Sequence, residues 1–128
     1  MTDGLADTSL FIAHETGRDL RIDELPERLA VSVITIGELR AGVLSAKDVA
    51  TRDRRLSTLA AALELDPVPI DEAVAAAWAR LRVEVRERGL RMPVNDSWIA
   101  ATAIAMGAAV VTQDDDYVEL PGLVVIRV

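Results

Sequence analysis

Asp7, Glu38, Asp96 and Asp114, with Asp116 beside the last, are the residues whose types could do chemistry in this chain. Within the stretch from Asn95 to Asp116, Asp96 and Asp114 bracket Ser97 to Gln113, which carries no charge at all. Carboxylates gathered at one place repel one another and become costly to keep ionised. A divalent cation removes that cost. The chain has no cysteine, and His14 is its single histidine, so thiolate sites, disulfides and multi-histidine sites are excluded. Oxygen donors alone suit a hard ion, Mg2+ or Mn2+. Such ions keep waters, orient phosphates and activate water for in-line attack on a phosphodiester.

The acids act together only if the fold brings them together. Ser97 to Met106 is alanine-rich and apolar nearly all round, which predicts a helix buried on most sides. Gly107 ends it, and Ala108 to Thr112 reads as a parallel strand covered on both faces. Ten helical residues span about 15 Å and five strand residues about 16 Å. The chain therefore goes out along the helix and returns along the strand, which puts Asp96 and Asp114 at one edge.

The remaining elements supply the other acids. Gly4-Leu5-Ala6 is a first strand ending in Asp7, with Thr8 or Ser9 as the cap of a following helix. Leu29 to Ile34 is a β-branched second strand. A helix starting at Thr35 carries Ile36, Leu39 and Val43 at helical spacing. Val49 to Leu65 is a helix with a Leu56, Leu59, Leu63 stripe. Val68-Pro-Ile70 is a brief strand whose two prolines, Pro67 and Pro69, favour a protected or edge position. Asp71 caps a long helix to about Arg88, closed by Gly89, with Val74, Trp78, Leu81 and Val85 inward. Leu123 to Val128 is a last strand. Alternating strands and helices predict an α/β class, a mainly parallel sheet of four to five strands flanked by helices. Ligands of such sheets collect at the carboxyl ends of the strands, where Asp7, Glu38, Asp96 and Asp114 all fall.

Each acid also has a local explanation. Thr35-Ile-Gly-Glu38 fits a capping box, Asp7 a turn, Asp96 a helix N-terminus, and Asp114-Asp115-Asp116 a solvated run. The convergence of all four at one edge is what these separate explanations leave unaccounted for. The length of 128 residues suits one domain over 1–128, and 51% hydrophobic content suits a packed one. A net charge of -7 argues against a general nucleic-acid binder. With no signal-like start and no membrane-length apolar run, the expectation is a cytoplasmic protein with no membrane partner.

The ordered set Asp7-Thr8-Ser9, Thr35-Ile-Gly-Glu38-Leu39, Asn95-Asp96 with Ile99-Ala-Ala-Thr-Ala103, and Val111-Thr-Gln-Asp114-Asp-Asp116-Tyr117 resembles the PIN domain family, in particular the VapC toxins of type II toxin–antitoxin pairs. The resemblance covers nearly the whole chain. It implies a PIN-like three-layer fold and a metal-dependent endoribonuclease, with Mg2+ or Mn2+, that leaves a 3′-hydroxyl and a 5′-phosphate. It implies metal ligands and catalytic acids at Asp7, Glu38, Asp96 and Asp114, and accessory roles for Asp116, Thr112 and Ser9. An RNA substrate, a homodimer and a cognate VapB-type antitoxin follow as partners, the antitoxin inserting a C-terminal segment into the acidic pocket. Ser9 stands where many members have asparagine, and Tyr117 where phenylalanine is commoner.

Two other classes compete. A phosphoacceptor signalling domain also gathers acids at a sheet edge, but it needs a lysine near the final strands, and Lys47 is the only lysine. A catalytically silent PIN-like binding module would not need the complete acid set. Arg80, Arg82, Arg86, Arg88 and Arg91 form one cationic group and Arg52, Arg54 and Arg55 another; each either guides an RNA backbone or pairs along its own helix surface. His14 reads as a surface or half-buried residue, and Trp78 and Trp98 as core packing.

Overall fold

The computed structural model describes residues 3–128. Strands β1 (Asp3–Ala6), β2 (Arg28–Val31), β3 (Ala109–Thr112) and β4 (Val125–Arg127) form one sheet in the order β2-β1-β3-β4. Every pairing is parallel. Between the strands run α1 (Thr8–Thr16), α2 (Val33–Leu44), α3 (Val49–Leu63), α4 (Glu72–Glu87) and α5 (Val94–Met106).

Side chains alternate along the central strands and so divide the core in two. Leu5 and Val110 face α4 and α5, packing with Val74, Leu81, Val85 and Ile99. Ala6 and Val111 face the other way, toward Leu10 of α1 and Val128. The α2–α3 hairpin packs its own small core, Leu39, Val43, Leu59 and Ala62, against Phe11 of α1. Helices thus cover both faces of the sheet. All four β3 residues are buried, as the continuous apolar run predicts.

Four local expectations change. The second strand ends at Val31 rather than Ile34, because the Ser32 side chain accepts the Ile34 N–H at 3.0 Å and starts α2 there. The Leu56, Leu59, Leu63 stripe is only partly inward: Leu59 is buried, while Leu56 and Leu63 are 46% and 41% exposed. Ala62 takes the second inward place, so the seam of α3 is narrower than its leucines suggest. Val68 makes a single parallel bridge with Ser32 in place of a strand. Its N–H donates to Val31 O and its carbonyl accepts from Val33 N. Pro67 and Pro69, with no N–H to donate, stop the ladder on either side. Finally the N-cap position of α1 falls on Asp7, with no side-chain cap bond, rather than on Thr8 or Ser9, which leaves both hydroxyls for other work.

Gly4 marks the tightest place in the sheet. A Cβ there would lie 2.7 Å from Pro26 Cγ and 2.7 Å from Val111 Cγ2, neither of which can swing away. Gly4→Ala should therefore destabilise the protein by about 1–3 kcal/mol, measured as a lower urea midpoint; an unchanged midpoint would show that the contact yields.

Candidate active site

Asp7 follows β1 directly and its N–H continues the ladder to Val111 O at 3.0 Å. The residue is only 2% exposed. Ser9 Oγ donates to Oδ1 at 2.6 Å and Thr112 Oγ1 to Oδ2 at 2.7 Å. The two hydroxyls lie 3.1 Å apart. They in turn accept backbone N–H groups, Ser9 from Gln113 and Thr112 from Asp114, each at 2.9 Å. Burial pushes the Asp7 carboxyl above its ordinary range; the Ser9 and Thr112 hydroxyls pull it partly back, and the Asp114 charge pushes it up again.

Asp96 lies in the first turn of α5. Its pKa is pushed from 3.8 to about 6, first by burial and then by the charges of Asp7, Asp116, Glu38 and Asp114. All four neighbours act on one carboxyl, so the expected meeting of Asp96 and Asp114 at one edge holds and extends to Asp7, Glu38 and Asp116. Asp114 is raised too, by burial and then Asp116, with Arg18 opposing. Arg127 of β4 ties down the acidic loop: it donates to the carbonyls of Asp114 and Tyr117, each at 3.3 Å, and pairs with the solvent-facing Asp115 at 3.1 Å.

Glu38 is not part of a capping box, since Ser32 caps α2. Its Oε1 accepts from Thr8 Oγ1 at 2.6 Å, and its Oε2 from Asn95 Nδ2 at 3.4 Å. Thr35, buried, stands 3.1 Å from Thr8 Oγ1. Glu38 is therefore held by α1 and α5 rather than by its own helix. Thr8, Thr35 and Asn95 lie inside the quoted motifs, but their support of Glu38 is invisible to local patterns.

Among the described residues no three carboxylates stand close enough to enclose a cation. The donor set still fits a hard ion: every group is oxygen, Asp7 is anchored, and Asp96 is destabilised by like charges that a cation would offset. Mg2+ in particular keeps several waters and needs only one or two protein carboxylates.

A family model for the PIN domain matches residues 5–123. The chain belongs to the PIN domain family. Its relatives include Ribonuclease VapC4 of Mycobacterium tuberculosis, 50% identical over 129 aligned residues that cover 97% of this chain and 95% of that protein. Ribonuclease VapC5 of the same organism is 45% identical over 119 residues, covering 93% of this chain and 88% of the other. The crystal structure of VapBC-5, a member of the VapBC family of toxin–antitoxin systems from Mycobacterium tuberculosis, matches with a TM-score of 0.92 at 40% identity, covering 100% of both chains. Fold and ordered acid motifs thus agree with the VapC branch of the PIN family.

The other singled-out side chains of this PIN domain now have places. Trp78 and Trp98 stack with centroids 4.3 Å apart and planes 5° from parallel, and Trp78 Nε1 donates to Ser97 Oγ at 3.0 Å. They serve packing, as expected, and they brace the turn that carries Asp96. His14 is exposed on α1. Arg52 and Arg55 donate to the carbonyls of Ala46 and Gly42 at 3.2 and 2.7 Å and so secure the α2–α3 hairpin, while Arg54 pairs with Glu15 of α1 at 3.8 Å and ties α3 to that helix. In the other group Arg88 pairs with Glu84 at 3.0 Å. Arg82, Arg86 and Arg91 line a groove of about 630 Å³ with no acidic residue in its wall.

The raised Asp96 pKa has a stability consequence with a definite sign. Between about 4 and 6 the folded protein holds a proton on Asp96 that the unfolded chain has lost, so stability falls as pH rises through that window. Above it the ionised group is a full burden. In chelator, Asp96→Asn should raise the melting temperature above pH 6, with the gain shrinking toward pH 4. A gain independent of pH would contradict the crowding of charge at Asp96.

Proposed function

We propose that this chain is a Mg2+- or Mn2+-dependent endoribonuclease, the toxin of a VapBC-type pair, working as one nuclease domain over residues 1–128. The observation that carries the reading is the gathering of Asp7, Glu38, Asp114 and Asp116 about Asp96 in a chain 45% and 50% identical to two ribonucleases. Asp7, Glu38, Asp96 and Asp114 are the metal-site acids, one or two of which would hold the cation directly and the others through its waters, and Asp116, exposed at the rim, is the accessory acid. A bound cation supplies a water ionised near neutral pH and charge to offset that of the phosphodiester. The protein's share is positional. Ser9 and Thr112 keep Asp7 in place, Thr8 and Asn95 aim Glu38, and the Trp78–Ser97 bond steadies the turn of Asp96. Cleavage leaves a 3′-hydroxyl and a 5′-phosphate.

A cognate VapB-type antitoxin is the partner, in keeping with the toxin–antitoxin character of the VapBC-5 structure. A cleft lined by Ile12, Glu15, Glu38, Leu39, Gly42 and Ser45 offers its C-terminal segment a place alongside Glu38. A homodimer belongs to the same proposal and is tested by light scattering. Among the described residues no helix is long and apolar enough to cross a membrane, and an RNA substrate assigns the work to the cytoplasm.

Asp7→Asn and Asp96→Asn should each reduce RNA cleavage by more than about 100-fold, beyond what the loss of a supporting partner produces at a metal site. Chelation should abolish cleavage, and Mg2+ or Mn2+ restore it. Full activity in chelator ends the proposal. The acid-free groove suggests where the RNA backbone lies: Arg86→Ala with Arg91→Ala should flatten the salt dependence of RNA binding by about 0.7 per lost phosphate contact, whereas an unchanged slope would assign these arginines to the surface alone.

A further inference from the structure

Tyr117 is 2% exposed, and its ring packs in the larger core cluster with Leu5, Ile99 and Leu120. Its hydroxyl is the only buried side-chain oxygen or nitrogen among the described residues with no hydrogen-bond partner. That hydroxyl faces Asp7 and lies in the field of Asp96, and burial with these two charges holds the phenol protonated, far above its ordinary range. A buried, unpaired O–H is unfavourable, and a phenylalanine would fill the same space without it. The hydroxyl therefore has a use that packing does not explain.

The nearest acceptor in kind is the Asp7 carboxylate. Its oxygens already accept from Ser9 and Thr112, and each oxygen retains room for a second donor. Ser9 follows β1, Thr112 ends β3, and Tyr117 closes the acidic loop, so the three hydroxyls come from three separate segments, two of them already bonded to Asp7. We propose that Tyr117 is a positioning residue, a third hydroxyl donor that closes on Asp7 when that carboxylate holds a divalent cation. The inference rests on the metal-dependent reading above and adds a residue to it. It also gives a reason for a phenol at a position where packing alone asks for a benzyl ring.

The test is Tyr117→Phe in the full chain, with Mn2+ alone as the probe. Mn2+ affinity, read by calorimetry or by water proton relaxation, should fall about tenfold, the low end for loss of a supporting partner. The melting temperature in chelator should stay level or rise, since the variant removes an unpaired hydroxyl. A double-mutant cycle with Ser9→Ala separates positioning from general packing: two donors to one carboxylate give losses in Mn2+ affinity that do not add, while additive losses overturn the shared-anion role. Wild-type Mn2+ affinity in Tyr117→Phe overturns this inference alone. Absence of Mn2+ binding by the unaltered protein overturns the metal reading and this inference with it.

Discussion

A carboxylate buried at the end of a central strand must be hydrogen-bonded, because an unpaired charge in that setting costs several kcal/mol. Asp7 meets this condition through Ser9 and Thr112, and much of the fold follows from where those two hydroxyls must be. Ser9 reaches Oδ1 only because α1 begins at once after Asp7. Thr112 reaches Oδ2 only because β3 runs parallel to β1 and in register, with Ala6 opposite Val111. The Gln113 and Asp114 N–H groups that bond the same hydroxyls then turn the chain so that Asp114 joins the cluster. The bonds that satisfy one buried anion are the bonds that assemble the next acid.

The α5–β3 unit was legible in advance because its signals are local and agree: an apolar helix, a left-handed Gly107 and a buried strand of matching length. Gly107 does adopt φ 68°. The meeting of Asp96 with Asp114 needed no more than that. Glu38 was legible as a candidate but not in its surroundings. Thr35 and Glu38 fit a capping pattern, yet Ser32 takes the cap and Glu38 bonds Thr8, thirty residues back. A local motif cannot see a partner that the sheet delivers. The same limit explains α3, where helical spacing pointed to three leucines and only Leu59 is buried, Ala62 lying closer to the seam.

Electrostatics set the protein's stability against its proposed chemistry. A net charge of -7 is uneven over the molecule. Arg52 and Arg55 are used to hold the α2–α3 hairpin, Arg54 ties α3 to α1, and Arg127 secures the acidic loop. None of them neutralises Asp96, whose carboxyl is pushed up to about 6. Raised carboxyl pKa values produced by burial and like charges cluster at functional sites. A structural ion-pair network would have lowered these acids, not raised them.

The acids also differ in how firmly they are held, and the difference follows from the layers. Asp7 and Asp114 sit at the ends of strands buried on both faces. Asp96 stands on a helix braced by the Trp78–Trp98 stack and the Trp78–Ser97 bond, over the larger core. Glu38 rides on α2, whose partner α3 leaves Leu56 and Leu63 partly in solvent, and it is aimed by side-chain bonds from Thr8 and Asn95 alone. Three acids therefore adjoin the central sheet and the larger core, and the fourth belongs to the least deeply packed layer. Because Glu38 lines the cleft along α1 and α2, it is the one acid of the cluster that a segment lying in that cleft would touch directly.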